Sequence, residues 1–337
     1  MKNTVVLDFE PLHKWDFLEG VKKATGWEWD TSFCNAKGTS YTKLGYPRRI
    51  KMYFSYSFHL FRHRREFDRI IAWQQFFGIF AAFYGAMFHQ AMPDIYLIAF
   101  IYKKRRGIVG KIYRHIIRKA FLHGGIKKAF VFSSNEPERY AKELDLPESY
   151  FIPETVGMRD RLSDFAVKDN GNYIAAGRSN RDYRWLKTAW QVAKGKQLVI
   201  VSDMEKQGKK GDIDVRSDIE GDDLFEMIAE CHAVVIPLED TGISSGQLVA
   251  IQAMMMGKPV IATENSGIRE YVEDGVTGFV IPKTEEALQK AMQALSDRNV
   301  YEEMSKNARK RYETKYSQYQ MGMRIGKRIA AWERQQK

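Results

Sequence analysis

Residues 241–263 read TGISSGQLVAIQAMMMGKPVIAT. Ser244 or Ser245 fits the N-cap of a helix running from Gly246 to Met256, Gly257 suits its stop, and Pro259 forces the exit into a strand. The β-rich run HAVVIPL lies just upstream. A helix between two such strands starts at the carboxyl edge of a parallel sheet, and its unpaired N–H groups and positive dipole end can receive an anion there. Ser244, Ser245 and Gly246 permit close backbone approach to a diphosphate. Gln252, two turns along, offers an amide to a hydroxyl pair. The plainer reading is a capped core helix in which Met254, Met255 and Met256 are packing.

Outward from this stretch, NYIAAG, KQLVIVSD and GFVIP are further short strands, with WLKTAWQVA, DDLFEMIAEC and IREYVED helix-like between them. The alternation predicts a doubly wound parallel sheet. AAGRSNRDYRWL, residues 175–186, ends one strand at Gly177 and places Arg178 and Arg181 before a helix that Asp182 or Asn180 can cap. Guanidinium groups pair bidentately with phosphate oxygens, so both arginines are candidate diphosphate ligands. The competing reading is a solvated turn with ordinary surface arginines.

The first half alternates as well. VVLDF, RIIAWQQ, PDIYLIAFIY and KKAFVFSS are strand candidates, residues 4–9 forming the first, and FFGIFAAFYGAMFHQ reads as a helix on the sheet. Residues 70–87 approach membrane-spanning length, but Gln74 and Gln75 interrupt them. With 337 residues, 44% apolar and 28% charged, the chain has the composition of a globular protein with two domains. The polar stretch DRLSDFAVKDNGN, residues 160–172, is the expected boundary. Cys34 and Cys231 stand far apart, which gives no support to a disulfide scaffold or a zinc site. The opening MKNTVVLDFEPLHKW is no signal-peptide pattern, because Asp8 and Glu10 cut its apolar run.

The segments GRSNR and QAMMMGKPVIATENSGIREYVEDGVTGFVIP (252–282), with FSSNEPERYAKELDLPESYFIPETVG before them, resemble the retaining glycosyltransferase family 4 of GT-B type. The resemblance spans roughly residues 130–282. It implies an α/β fold of GT-B type, with two Rossmann-like doubly wound domains facing across a cleft. The acceptor-binding domain is then expected at 1–165, completed by a C-terminal helix at 318–337, and the donor-binding domain at 166–317. The implied activity is transfer of a sugar from a UDP- or GDP-sugar to a saccharide or lipid-linked acceptor in cell-surface glycan assembly, without a metal. Gly177, Arg178, Arg181, Ser244, Ser245, Gly246, Gln247 and Gln252 would hold the donor. The family's two glutamates are replaced by Ser244 and Gln252, in a Ser-Ser-Gly-Gln form resembling a subgroup in polysaccharide assembly. Retention is the family's stereochemistry, and Ser244 leaves it open here. An inverting path needs a base from the first domain, for which Glu10 and His13 are candidates by position. The alternatives are a non-catalytic partner subunit that binds nucleotide or membrane, and a sugar-nucleotide epimerase.

The net charge of +11 is uneven, since residues 1–165 carry 27 Lys and Arg against 17 Asp and Glu. From Ile95 through Asn135 there is no acidic residue, while KKRRGIVGKIYRHIIRKAFLHGGIKK (103–128) is cationic throughout. Ile108, Ile112, Ile116 and Ala120, flanked by Val109, Tyr113, Ile117 and Phe121, form a stripe at helical spacing. This reads as an amphipathic helix docking on an anionic membrane. The expected location is therefore the cytoplasm, peripheral on the inner face of the cell membrane. No nucleic-acid module accompanies the charge.

Overall fold

The computed structural model describes residues 2–11, 13–34, 45–192, 196–239 and 245–335. Two compact units are formed, residues 1–155 with 321–337, and residues 156–320. The stretch 160–172 lies inside the second unit and not between the two. Leu162 and Phe165 pack on that unit's core, Arg161 pairs with Asp222, and Lys168 N donates to the Ala229 carbonyl.

The first unit runs β1 (Asn3–Leu7), α1 (Asp16–Thr25), β2 (Trp29–Phe33), α2 (Gly45–Arg62), β3 (Arg69–Ala72), α3 (Gln75–Met87), β4 (Asp94–Leu97), α4 (Gly107–His123), β5 (Ile126–Val131), α5 (Glu136–Leu144) and β6 (Phe151–Pro153). The strands form one parallel sheet in the order β2-β1-β3-β4-β5-β6. Reversal of strand order at β1 puts helices on both faces. Residues of α2, α3, α4 and α5 share one apolar cluster with Ile70, Ile95 and Ala129, while Phe17 and Val21 of α1 pack on the other face. The run at 70–87 is thus a buried strand followed by a helix. No helix among the described residues is long and apolar enough to cross a membrane.

The second unit runs β7 (Tyr173–Ala176), α6 (Tyr183–Ala189), β8 (Leu198–Val201), β9 (Gly208–Lys210), β10 (Ile213–Arg216), α7 (Asp222–Glu230), β11 (Ala233–Ile236), α8 (Gln247–Met255), β12 (Val260–Thr263), the single turn α9 (Ser266–Arg269), β13 (Gly278–Ile281), α10 (Glu285–Leu295) and α11 (Arg298–Arg311). Its sheet order is β13-β12-β11-β7-β8-β10-β9, parallel except for β9. Val, Ile and Ala occupy nearly every position of β7, β8, β11 and β12 and are buried, as strands covered on both faces require. IREYVED supplies only α9 and a turn, with Tyr271 and Val272 buried in the core.

The last helix, α12 (Gln318–Gln335), returns to the first unit, where Met321, Ile325 and Ile329 join the α1 face. Glu333 on it accepts from Arg69 Nε at 3.0 Å and Nη2 at 2.5 Å, and Tyr96 Oη donates to it at 3.3 Å.

Candidate functional site

In the second sheet the strand order reverses at β7, which lies between β8 and β11. Such a switch point opens a crevice at the carboxyl ends of the strands. A cavity of about 530 Å³ occupies that place. Its walls come from the ends of β7 and β8 and the loops after them (Ala176–Arg181, Val201–Asp203), Asp218–Gly221 after β10 with Leu224 of α7, and Ser245–Val249 at the start of α8.

The start of α8 differs from the serine cap expected for it. The cap position is Gly246, at φ +89° and without a side-chain cap bond. A Cβ there would lie 2.9 Å from Ile236 Cγ2, so both the space and the left-handed backbone call for glycine. Ser245 is buried, and its Oγ accepts from Asn180 Nδ2 at 2.9 Å. The first turn of α8, Gln247 to Val249, borders the cavity with the positive end of the helix dipole. The expectation for Ser244 falls outside the described residues. Met254, Met255 and Met256 are buried in the core, so the packing reading of the same helix holds beside its position at the cavity. Gln252 stands five residues beyond Gln247, roughly 7–8 Å along the axis, and is not among the cavity's walls.

The two arginines differ in state. Arg178 is largely exposed and pairs with Asp203 at 3.0 Å and with Glu220. The Glu220 hydrogen bond and the Asp203 charge hold its guanidinium above the usual value. Of the two arginines offered as diphosphate ligands, this one is thus already engaged by acidic residues after β8 and β10. Arg181 is held instead by backbone carbonyls. It donates to Ala176 O at 3.3 Å and Ser179 O at 2.8 Å, and has no carboxylate partner among the described residues. Burial pushes its guanidinium down. Gly177, at φ +127°, lies beneath this side chain, and a Cβ there would meet Arg181 Nη2 at 2.8 Å. Asp182 caps α6 by accepting from Trp185 N at 2.8 Å, as the sequence indicates. Asp203, Asp218 and Glu220 were not nominated from sequence. Asp203 closes the strand run KQLVIVSD, and that position at a carboxyl edge was the available signal.

Lys258, at the other end of α8, faces away from this cavity. It is buried, its Nζ donates to the Lys168 carbonyl, and burial lowers its affinity for the proton. Glu10 and His13 follow β1 in the first unit, and both are exposed.

The basic helix α4 is also divided. Ile117, Ala120 and Phe121 are buried in the core, but Ile108, Val109 and Ile112 are 76%, 65% and 55% exposed. Arg114 donates to Glu143 O at 2.9 Å and Arg118 pairs with Asp145 at 2.6 Å, so these two hold α5. Lys127 pairs with Asp94 at 3.2 Å, and Lys128 Nζ donates to Ser149 O at 2.7 Å. Lys103, Lys104, Arg105, Arg106 and Lys111 are exposed and have no carboxylate partner among the described residues.

Residues 172–298 match the family described as glycosyl transferases group 1. A trehalose synthase of Thermococcus litoralis is 31% identical over 108 residues, 32% of this chain and 26% of that protein. An alpha-D-kanosaminyltransferase of Streptomyces kanamyceticus is 34% identical over 95 residues, 27% of this chain and 23% of that one. The matched part thus spans about a quarter of these relatives' length. Among solved structures, Anabaena HepE in complex with UDP superposes with a TM-score of 0.64 at 13% identity, covering 98% of this chain and 100% of that one. Sucrose-phosphate synthase of Thermosynechococcus elongatus gives 0.63 at 15% identity, covering 99% of each chain. WaaG, a glycosyltransferase involved in lipopolysaccharide biosynthesis, gives 0.57 at 15%, covering 97% and 99%. By fold the chain is a GT-B protein, and its residues 172–298 carry the sequence pattern of group 1 glycosyl transferases.

Proposed function

We propose that the chain is a glycosyltransferase that moves a sugar from a nucleoside-diphosphate sugar, a UDP- or GDP-sugar, to a saccharide or lipid-linked acceptor. One observation carries the reading. The guanidinium of Arg181, without a carboxylate partner among the described residues, and the amino-terminal turn of α8 meet in one cavity at a sheet's switch point. Such a place favours a diphosphate. HepE, alike in fold, was solved with UDP and with UDP-glucose.

In the reaction the bond from the sugar's anomeric carbon to the diphosphate oxygen breaks and a bond to the acceptor oxygen forms. Negative charge grows on the leaving diphosphate, and the acceptor hydroxyl's proton passes to that leaving oxygen on a retaining path or to a base on an inverting one. Fixed donors at Arg181 and the α8 terminus stabilise that charge without reorganising. Arg178 joins them by exchanging one carboxylate partner for phosphate, and Ser244 precedes α8 in sequence. Glu10 and His13 remain the proposed bases for an inverting path. The test is transfer or hydrolysis of UDP- and GDP-sugars by the purified chain and by Arg181→Ala. Activity that survives this change in a folded protein would refute the site.

The exposed apolar residues of α4, with five exposed cations around them, support peripheral docking on an anionic membrane. A second reading follows from the carboxylates on Arg178 and the replaced glutamates: a subunit that binds nucleotide without turnover. Binding of UDP without consumption of any donor would favour it.

A further inference from the structure

The exposed turns of α4 lie over a cavity of about 250 Å³ in the first unit. It sits where the amino-terminal parts of three helices meet: Arg49 to Phe54 of α2, Gln74 to Phe80 around the start of α3, and Val109 to Ile116 of α4 with Arg105 from the loop before it. Each of these helices follows a strand of the parallel sheet, so the cavity is at that sheet's carboxyl edge. It lies beside the reversal at β1, the place where such sheets receive ligands. Its wall is aromatic. Phe54 stacks on Phe80 at 4.0 Å, and Phe76 lies 5.8 Å from Phe80 and 5.4 Å from Tyr53. An apolar cavity of roughly 150 Å³ takes up benzene, so this one has room for a short stretch of hydrocarbon.

The rim carries charge. Arg49 is neutralised by Asp8 at 2.7 Å, which ties the rim to the end of β1. Arg105 has no carboxylate partner among the described residues, and its guanidinium lies 5.1 Å from the Tyr113 ring. Gly110 holds that loop against the helix, because a Cβ there would lie 2.0 Å from the Arg105 carbonyl. Val109 and Ile112 belong both to the exposed face and to the cavity wall. An apolar surface therefore runs from solvent into an apolar hole, with cations at its edge. An amphiphile with an anionic head and a hydrocarbon tail complements this arrangement in both respects.

We propose that this cavity binds the hydrocarbon chain of a lipid-phosphate acceptor next to its head group, with Arg105 pairing the phosphate. The inference rests on the glycosyltransferase reading and selects the lipid-linked acceptor within it. Location at the carboxyl edge favours acceptor lipid over bulk membrane lipid, which needs only the outer face of α4.

The experiment titrates the full chain with farnesyl phosphate, farnesol and inorganic phosphate, and in parallel with UDP. Farnesyl phosphate is expected to bind at least about tenfold more tightly than either fragment, since head and tail both contribute. Ile116→Trp, which fills the cavity, is expected to weaken it about tenfold or more while UDP binding is unchanged. Val109→Trp, at the exposed rim, repeats the test should Ile116→Trp fail to fold. Arg105→Gln is expected to reduce farnesyl phosphate to the level of farnesol. Equal binding of farnesol, or indifference to both tryptophans with UDP binding intact, would overturn the proposal. So would displacement of farnesyl phosphate by phosphatidylglycerol vesicles at equal lipid concentration, which would assign the cavity to bulk lipid. Loss of UDP binding in the unaltered chain would instead strike the donor-site reading.

Discussion

Asn180 Nδ2 donates to Ser245 Oγ at 2.9 Å, joining the loop after β7 to the loop that leads into α8. These loops carry Arg181 and Gly246, so this bond, beside the backbone bond from Asp182 N to the Pro237 carbonyl, helps to set the spacing between the buried cation and the helix terminus. Asn180 sits at φ +55°, a conformation asparagine tolerates better than most residues. Asn180→Ala loses the bond and strains the backbone, and is expected to cost about 1–2 kcal/mol. Asn180→Gly keeps the backbone and loses only the bond. Chemical denaturation should rank the glycine variant as the more stable, with UDP affinity lowered in both. An alanine variant as stable as the unaltered chain would deny the bond its role.

Asp160 and Arg309 give a pH-dependent prediction. Burial raises the Asp160 carboxyl, but hydrogen bonds from Arg309 and from Leu162 N outweigh it, leaving the group below the usual carboxylate value. Arg309 Nη1 also donates to Met255 O at 2.7 Å, so the pair fastens the carboxyl end of α8. A depressed native value stabilises the fold fully above the ordinary range near pH ~4 and loses that contribution as pH falls through the native value. Asp160→Asn should therefore cost about 1–2 kcal/mol at neutral pH, discounted for partial exposure. The gap to the unaltered chain should close in acid. A gap constant from pH 7 to pH 3 would contradict the assignment.

Much of this frame can be read in the sequence, and the failures have physical causes. GKPVIAT and GFVIP announce themselves because strands buried on both faces are unbroken β-rich runs. WDTSF, at β2, does not, because an edge strand with one exposed side has a mixed pattern. The serine cap was wrong since the cap position falls on Gly246, whose left-handed backbone and close approach to Ile236 call for glycine, and that tertiary contact is invisible in local propensity. Residues 160–172 look like a linker by composition, yet Leu162, Phe165 and Arg161 pack on the second unit. The stripe on α4 was legible as a period, but which of its turns leave the core is decided by α3 and α5. Arg178 and Arg181 were identifiable as a pair, and their different electrostatic states come from Asp203 and Glu220, brought near by β8 and β10.

Membrane association should depend on the loop before α4. Neutralising Lys103, Lys104 and Arg106 together removes about 1 kcal/mol per cation, hence roughly a hundredfold in partitioning to anionic vesicles. Flotation with and without phosphatidylglycerol, at low and high salt, reads this directly. Equal partitioning of the variant, or indifference to lipid charge, would remove the docking role.

Gly110→Ala tests the seat of the same loop. The added methyl must displace the Arg105 carbonyl, at an expected cost of about 1–3 kcal/mol. A thermal melt and the flotation assay on one sample should both shift. An unchanged melting temperature with unchanged flotation would mean that the loop is not held against α4.

Ser244 stands where the resembled family has a glutamate, so the stereochemistry of transfer is to be tested against that family's retention. Proton NMR of the first product formed from an α-linked donor is expected to show the anomeric configuration retained. Inversion would direct attention to Glu10→Gln and His13→Ala, and a loss of turnover in either would name the base.

The central claim is that the cavity around Arg181 binds the donor's diphosphate. Calorimetric titration of UDP and GDP into the unaltered chain and into Arg181→Ala tests it most directly. The account predicts saturable binding of one nucleotide, weakened by about 1.5–3 kcal/mol, roughly tenfold to over a hundredfold, in a variant that still unfolds cooperatively. Unchanged nucleotide affinity in folded Arg181→Ala would contradict it.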